Sequence, residues 1–219
     1  MTEKEHIFSD DDIVRSIQEG RVQNFETLVN RYKKKIVNFI YKMIFDYDEA
    51  QSLAQDVFLK VFTTLKKYKS QGNFQAFIFT VAKNLTLNHI KKQKRISWFS
   101  GQSPFQNGET EKYFRSDETP QVILEKNQQE EMLTAALKGL NENQRLALIM
   151  KVYLEYSYQE IKAVTGWSVP KIETLISRAK SNLKNEIRSN LQAGETKGLQ
   201  KKMQEKRKRN VLQMNARST

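Results

Sequence analysis

The 219-residue chain contains no cysteine, which excludes disulfides and thiolate metal sites and agrees with a reducing compartment. It has only two histidines, His6 and His89, and neither stands at metal-ligand spacing from a partner. No glycine-rich phosphate loop and no nucleophile motif occurs, so nothing in the residues places catalytic chemistry or a cofactor. No apolar run approaches membrane-spanning length, and the opening MTEKEHIFSDDD carries charge in place of an apolar signal core. Stable membrane insertion and secretion by that route are therefore not expected, and a cytoplasmic location is. What is abundant is positive charge: 37 Lys+Arg against 25 Asp+Glu give a formal net charge of +12. Such a balance is the electrostatic footprint of a polyanion binder, but by itself it does not choose among DNA, RNA and an anionic membrane. With 38% hydrophobic residues the chain fits two small helical domains better than one large core.

Helical periodicity runs through the chain. Phe25, Leu28, Val29, Tyr32, Ile36, Phe39, Ile40 and Met43 step by three or four and predict an amphipathic helix over roughly Asn24 to Phe45. Asp46-Tyr47-Asp48 reads as a break and N-terminal cap. A second stripe follows in Ala50, Leu53, Ala54, Val57, Phe58, Val61, Phe62 and Leu65. After a turn at Tyr68 to Asn73, Phe74, Phe77, Ile78, Val81 and Leu85 give a third helix and complete a bundle. The opposite side of that helix carries Thr80, Lys83, Asn84, Leu87, Lys91 and Lys94, with Lys92 and Arg95 at its basic end. Cations there complement the helix dipole; together with nearby aromatic and amide groups they also match a grip on single-stranded nucleic acid.

From Ile96 to about Gln128 the sequence predicts a linker, broken by Ser-Gly-Gln-Ser-Pro and Asp-Glu-Thr-Pro and carrying Trp98, Phe99, Phe105, Tyr113 and Phe114. A second bundle begins with Met132, Leu133, Ala136, Leu137 and Leu140, and continues with Leu146, Ile149, Met150 and Tyr153. The most informative stretch is SYQEIKAVTGWSVPKIETLISRAKSNL, from Ser157 to Leu183. Ser157 and Glu160 make a capping box, and Gly166 suits a left-handed helix end. Ser168 caps a second helix, Pro170 is tolerated in its first turn, and Ile172, Ile176, Ala179 and Leu183 face a core. Its outward face carries Lys171, Thr174, Arg178 and Ser181. This is a helix-turn-helix, whose second helix fits the major groove, where Arg178 can meet base edges or phosphates. The tail from Gln192 reads as a solvated basic run, disordered or marginally helical, with auxiliary DNA attraction as its functional alternative.

Three segments in order carry a family resemblance: DEAQSLAQDVFLKVF, FQAFIFTVAKNLTLNHIKK and SYQEIKAVTGWSVPKIETLISRAK. They resemble the core-polymerase-binding helix, the minus-ten recognition segment and the minus-thirty-five reader of bacterial ECF sigma factors of the sigma-70 family. The resemblance implies an all-α protein of two small helical bundles joined by a flexible linker, the C-terminal one holding the helix-turn-helix. It implies residues 1–95 as region 2, 96–128 as linker, 129–191 as region 4 and 192–219 as tail. Its partners would be core RNA polymerase, promoter DNA as duplex and melted strand, and an anti-sigma factor. By the same resemblance, Leu53, Gln55, Asp56, Phe58 and Leu59 would grip the polymerase clamp, some of them serving the bundle core as well. The loop from Lys69 to Asn73 would capture a flipped minus-ten base beside Phe77, which stands where the family usually has tryptophan. Lys83, Asn84, Asn88, Lys91 and Lys92 would hold that strand's phosphates, and Ser168, Lys171, Thr174, Ser177, Arg178 and Lys180 would face the minus-thirty-five duplex. Glu173 and Leu175 depart from the basic residues the family often carries in the recognition helix, and Lys162 stands where such units want a small residue at the helix crossing. A free-standing helix-turn-helix regulator is the alternative, but it leaves the first bundle unexplained.

Overall fold

The computed structural model describes residues 8–69, 73–100 and 132–189, and among them every regular element is helical. Helix α1 (Asp10–Gln18) is followed by a short 3-10 turn, Val22–Asn24, and then by α2 (Phe25–Ile44), α3 (Tyr47–Leu65) and α4 (Phe74–Ser100). Residues 132–138 form α5. Helix α6 (Glu142–Leu148) runs into one π-helical turn, Ile149–Tyr153; α7 (Tyr158–Thr165) and α8 (residues 169–189) complete the chain's described part. The described residues divide into two compact units. The first holds residues 8–100 together with Glu142–Ile176, and the second holds residues 132–141 and 177–189.

In the first unit α2, α3 and α4 pack against one another, α2 and α3 largely along their predicted stripes and α4 along a face shifted from its own: Phe74 and Ile78 are buried as expected, Phe77, Val81 and Leu85 only partly, and Phe79, Ala82 and Ile90 turn inward. Leu28, Ile36, Phe39, Ile40 and Met43 of α2 are wholly buried, as are Ala50, Val57 and Val61 of α3 and Ile78, Phe79 and Ala82 of α4. Asp46 ends one helix and starts the next: its carboxylate accepts the Glu49 N–H at 2.9 Å, and the preceding Phe45 adopts the left-handed conformation, φ 60°. A residue with a Cβ resists that conformation; Phe45 holds it with its ring buried. Helix α1 was not foreseen in the sequence reading. A capping box starts it, Ser9 with Asp12, and Ile13, Val14 and Ile17 bury its inner face. The third helix also outruns its expected end: Ile96, Ser97, Trp98, Phe99 and Ser100 are helical, so the expected start of the linker lies within α4. The rest of that linker, with Phe105, Tyr113 and Phe114, lies outside the described residues, as do His6 and the basic tail from Gln192.

Among the described residues, α2, α3 and α7 of this unit have C-terminal carbonyls closed by a side chain from another helix. The last carbonyls of a helix have no partner within it. Gln18 of α1 donates from Nε2 to the carbonyls of Leu65 (2.8 Å) and Tyr68 (2.7 Å) at the end of α3. Arg145 of α6 donates from Nη1 to the Met43 carbonyl of α2 at 2.7 Å, and Lys83 of α4 donates from Nζ to the Val164 carbonyl of α7 at 2.8 Å.

In the second unit Ala136, Leu137, Leu140 and Ala179 are buried, whereas Leu133, expected to face inward, is exposed. Gly139 packs so closely that a Cβ there would stand 3.5 Å from the Ala136 carbonyl oxygen and 3.8 Å from Glu186.

Candidate functional site

Three solvent-facing surfaces carry the residues that the sequence singles out. On α3, Ala50, Leu53, Ala54, Val57, Phe58, Val61 and Leu65 turn inward, leaving Gln55, Asp56 and Leu59 outside. Leu59 is 63% exposed and Phe62 40%, the latter edge-on to Phe25 at 5.0 Å between ring centres. Leu53 and Phe58, each 8% exposed, belong to the core of the bundle. The outer surface of α3 thus pairs a carboxylate and an amide with one large apolar side chain.

On α4, Asn73 is exposed and starts the helix, accepting the Ala76 N–H on its side-chain oxygen at 3.0 Å. A cap of this type satisfies one of the free amides of the first turn. Phe77 is half-buried and lies at 4.5 Å and 31° from the Tyr68 ring, with Phe74 6.1 Å away on another side. Tyr68 was not singled out by sequence, yet it forms one side of this aromatic corner beside the exposed Lys69. Burial, followed by the charge of Asp11, pushes the Tyr68 phenol up. Asn84, Asn88, Lys91 and Lys92 are exposed at helical spacing, as a strand-gripping face requires. Lys83 does not share that exposure: it is half-buried on the Val164 carbonyl, and the loss of water lowers the pKa of its ammonium group. Further along, Lys94 is ion-paired with Glu142 and His89 Nδ1 lies 3.2 Å from Glu49. Burial would raise the Glu142 carboxyl, but the Lys94 hydrogen bond, a backbone hydrogen bond and the charges of Lys94 and Arg145 outweigh it and hold the carboxyl low.

The helix-turn-helix forms as its sequence predicts. Ser157 N–H donates to Glu160 at 2.7 Å while the Glu160 N–H donates to Ser157 Oγ at 3.2 Å. Gly166 ends α7 in the left-handed conformation, φ 73°, its N–H donating to the Lys162 carbonyl at 2.8 Å. Ile161, Val164, Ile172 and Ile176 are buried, and Leu175 packs partly buried against them. Lys162 is exposed, which resolves its place at the crossing without burying its charge. Of the expected duplex-facing residues, Ser168, Lys171 and Thr174 are exposed in the first unit, and Ser177, Arg178 and Lys180 in the second. Lys171 holds its ammonium 4.9 Å from the centre of the Trp167 ring, and Thr174 donates its hydroxyl to the Pro170 carbonyl at 2.8 Å. Glu173 is exposed in the same helix, where its charge repels phosphate.

Hydrogen bonds from the Ser157 hydroxyl and then from its backbone amide hold the Glu160 carboxyl below its ordinary value. A carboxyl depressed in this way stabilises the fold above the ordinary carboxylate range and loses that contribution as pH falls through its folded value. Glu160→Gln keeps a neutral capping partner. Thermal melts of the two proteins are expected to differ at neutral pH and to converge as pH falls below about 4; a constant gap would remove the carboxylate from the cap's energetics.

Sequence reasoning passed over Arg145. It is 3% exposed, with its guanidinium 4.7 Å from the centre of the Phe45 ring, and burial pushes it down to about 10 against an opposing pull from Glu142. Its signal was a charged residue directly before the apolar run LALIM, where a charge drawn into the core must find a buried partner.

Comparison with known proteins matches residues 28–96 to Sigma-70 region 2 and residues 130–183 to Sigma-70 region 4. Together the two segments cover more than half of the chain, which belongs to the sigma-70 family. Among its relatives, RNA polymerase sigma factor YlaC of Bacillus subtilis (strain 168) is 26% identical over 168 residues, covering 75% of this chain and 92% of that one. ECF RNA polymerase sigma factor SigW of the same organism is 22% identical over 182 residues, covering 80% of this chain and 95% of its own. The fold is also that of the sigma factor RpoE from Bartonella quintana, solved with the anti-sigma factor NepR: TM-score 0.62, 19% identity, 76% of this chain and 98% of that one. Among the described residues no helix is long and apolar enough to cross a membrane.

Proposed function

We propose that this chain is an ECF sigma factor that binds core RNA polymerase and directs it to promoters, leaving the chemistry to the polymerase. The observation that carries the reading is the occurrence of both sigma regions in order, with Gln55, Asp56 and Leu59 of the first and Ser168, Lys171, Thr174, Ser177, Arg178 and Lys180 of the second exposed. Gln55, Asp56 and Leu59 of α3 offer the polymerase clamp a carboxylate, an amide and an apolar contact. The aromatic corner at Tyr68 and Phe77 takes an unstacked base of the minus-ten element, with Lys69 beside it. Extruding that base costs a few kcal/mol, which the corner and the phosphate contacts of Asn84, Asn88, Lys91 and Lys92 offset. Ser168, Lys171, Thr174, Ser177, Arg178 and Lys180 read the minus-thirty-five duplex. An anti-sigma protein is a further partner, by analogy with the RpoE and NepR pair, and the site of action is the cytoplasm.

The test is transcription by sigma-free core polymerase on a pool of randomised promoter fragments, with the 5′ ends of the transcripts sequenced. Defined starts that depend on the protein are expected. Their absence with polymerase from the source organism would favour a free-standing DNA-binding regulator. On a promoter found in this way, Arg178→Ala is expected to weaken initiation by about 1–3 kcal/mol and relax preference at one minus-thirty-five position if the guanidinium reads a base. If it holds a phosphate, the loss is uniform across sequences and the salt slope falls by about 1. Unchanged transcription at moderate salt would free Arg178 of any anchoring role.

A further inference from the structure

We propose that the C-terminal end of α4, where Trp98 and Phe99 stand open to water, is a second base-stacking platform, so that a single DNA strand lying along α4 is held by stacked bases at both ends of the helix. That the strand is promoter DNA rests on the sigma-factor reading; the path itself rests on geometry. Trp98 is 87% exposed and Phe99 82%, more than any other large apolar side chain among the described residues, and Ile96 beside them is exposed as well. So little of either ring is buried that neither helps to hold the fold, and adjoining apolar groups left in water mark a contact surface.

Their position on the helix identifies the contact. Phe77, Asn84, Asn88, Lys91, Arg95 and Trp98 follow one another at steps of seven, four, three, four and three, the spacing that keeps side chains on one face of an α-helix. Asn84, Asn88, Lys91 and Arg95 are exposed, so the row runs open to water from the aromatic corner at Tyr68 and Phe77 to Trp98. Lys94 lies off this row and is ion-paired with Glu142. Phe77 and Trp98 are 21 residues apart, about 32 Å along the axis at about 1.5 Å per residue. A strand at the stacked spacing of about 3.4 Å places about nine nucleotides over that length, and fewer when drawn out. Amides and cations in line with aromatic rings hold single strands, because charge tracks the phosphates while the rings take bases of any sequence. A lipid surface asks for a different helix, with an apolar stripe along its length and the cations on the opposite side; here the rings share the face of the cations. Bases paired within a duplex are closed to such a ring. A base freed by melting is restacked on Trp98, which offsets part of the cost of separating the strands.

The test is fluorescence anisotropy of a 5′-labelled 12-nucleotide oligo(dT) with the full-length chain, free and again bound to core polymerase. Trp98→Ala is expected to weaken binding by about fivefold or more wherever the wild type binds. The slope of log affinity against log salt should not change, since no charge is lost, and Trp98→Phe, which keeps a ring, should restore most of the affinity. Arg95→Ala, by contrast, is expected to reduce that slope by about 0.7. A duplex of the same length should bind Trp98→Ala and wild type alike. Equal single-strand affinity of Trp98→Ala and wild type overturns the platform, as does a wild type that binds no strand in either setting. Two other results would overturn it by seating the rings elsewhere. Loss of core-polymerase affinity in Trp98→Ala would place them on the polymerase. Capture by vesicles of phosphatidylglycerol and phosphatidylcholine in equal parts that depends on Trp98, with strand binding unaffected, would place them on lipid. If the chain fails to join core polymerase, the sigma-factor reading falls by itself, and the titration of the free chain still judges the platform.

Discussion

Phe79→Ala is expected to cost the first unit about 3–5 kcal/mol, the usual range for deleting a fully buried phenyl ring. Phe79 has no exposed surface, and its ring stands edge-on to three others: Phe39 at 5.5 Å, Tyr156 at 5.7 Å and Tyr32 at 6.5 Å. Such pairs add about 0.5–1.5 kcal/mol each beyond area burial, and alanine forfeits all of them while leaving a void between α2 and α4. A domain of ordinary stability, about 5–15 kcal/mol, would be left marginal. Urea denaturation measures the effect directly. A loss below about 1 kcal/mol would mean that the surrounding side chains collapse into the space, contrary to what a fixed four-ring arrangement implies.

The second large effect concerns binding. Leu59→Asp is expected to weaken association with core polymerase by 2 kcal/mol or more, about thirtyfold, because a carboxylate placed at the apolar centre of an interface must be desolvated without a partner. Stability should shift by no more than about 0.5 kcal/mol, since Leu59 is exposed and makes little of the core. Leu53→Asp supplies the contrast: six residues away on the same helix but buried, it should unfold the bundle. Asp56→Ala refines the assignment, as undiminished binding would remove the carboxylate from the contact. Wild-type affinity in a folded Leu59→Asp variant would move the polymerase contact off this face of α3.

Much of this architecture was legible in the sequence because it is written in periodicity and caps, which are local. The stripe from Phe25 to Met43 fixed α2 to within a residue at either end, and Ser157 with Glu160 and Gly166 fixed α7. Helix α1 was missed because its apolar residues number only three, although the Ser9 and Asp12 box marked its start. The end of α4 was misjudged because Trp98 and Phe99 were read as linker aromatics, whereas the helix runs to the Ser-Gly-Gln-Ser-Pro breaker and carries both exposed. What no periodicity conveys is a partner supplied from far along the chain. Lys83 looked like a free strand-gripping cation because its own helix leaves it on the polar side; the carbonyl it meets comes from Val164. The second stripe already set Leu53 and Phe58 on the apolar face of their helix, and packing agrees: both are buried while Gln55, Asp56 and Leu59 face out. The single π turn at Ile149–Tyr153 left no mark in the sequence reading at all.

The contact between Lys83 and Val164 joins a cation to a neutral carbonyl, and this sets its response to ionic strength. Added salt screens a half-buried bond of this kind weakly, because neither a second full charge nor open water lies between the partners. The hold of lysine on nucleic-acid phosphate behaves oppositely: it draws its strength from released counterions and falls steeply as salt rises. The Lys83 bond is therefore expected to persist across a range of salt in which phosphate contacts of exposed lysines weaken.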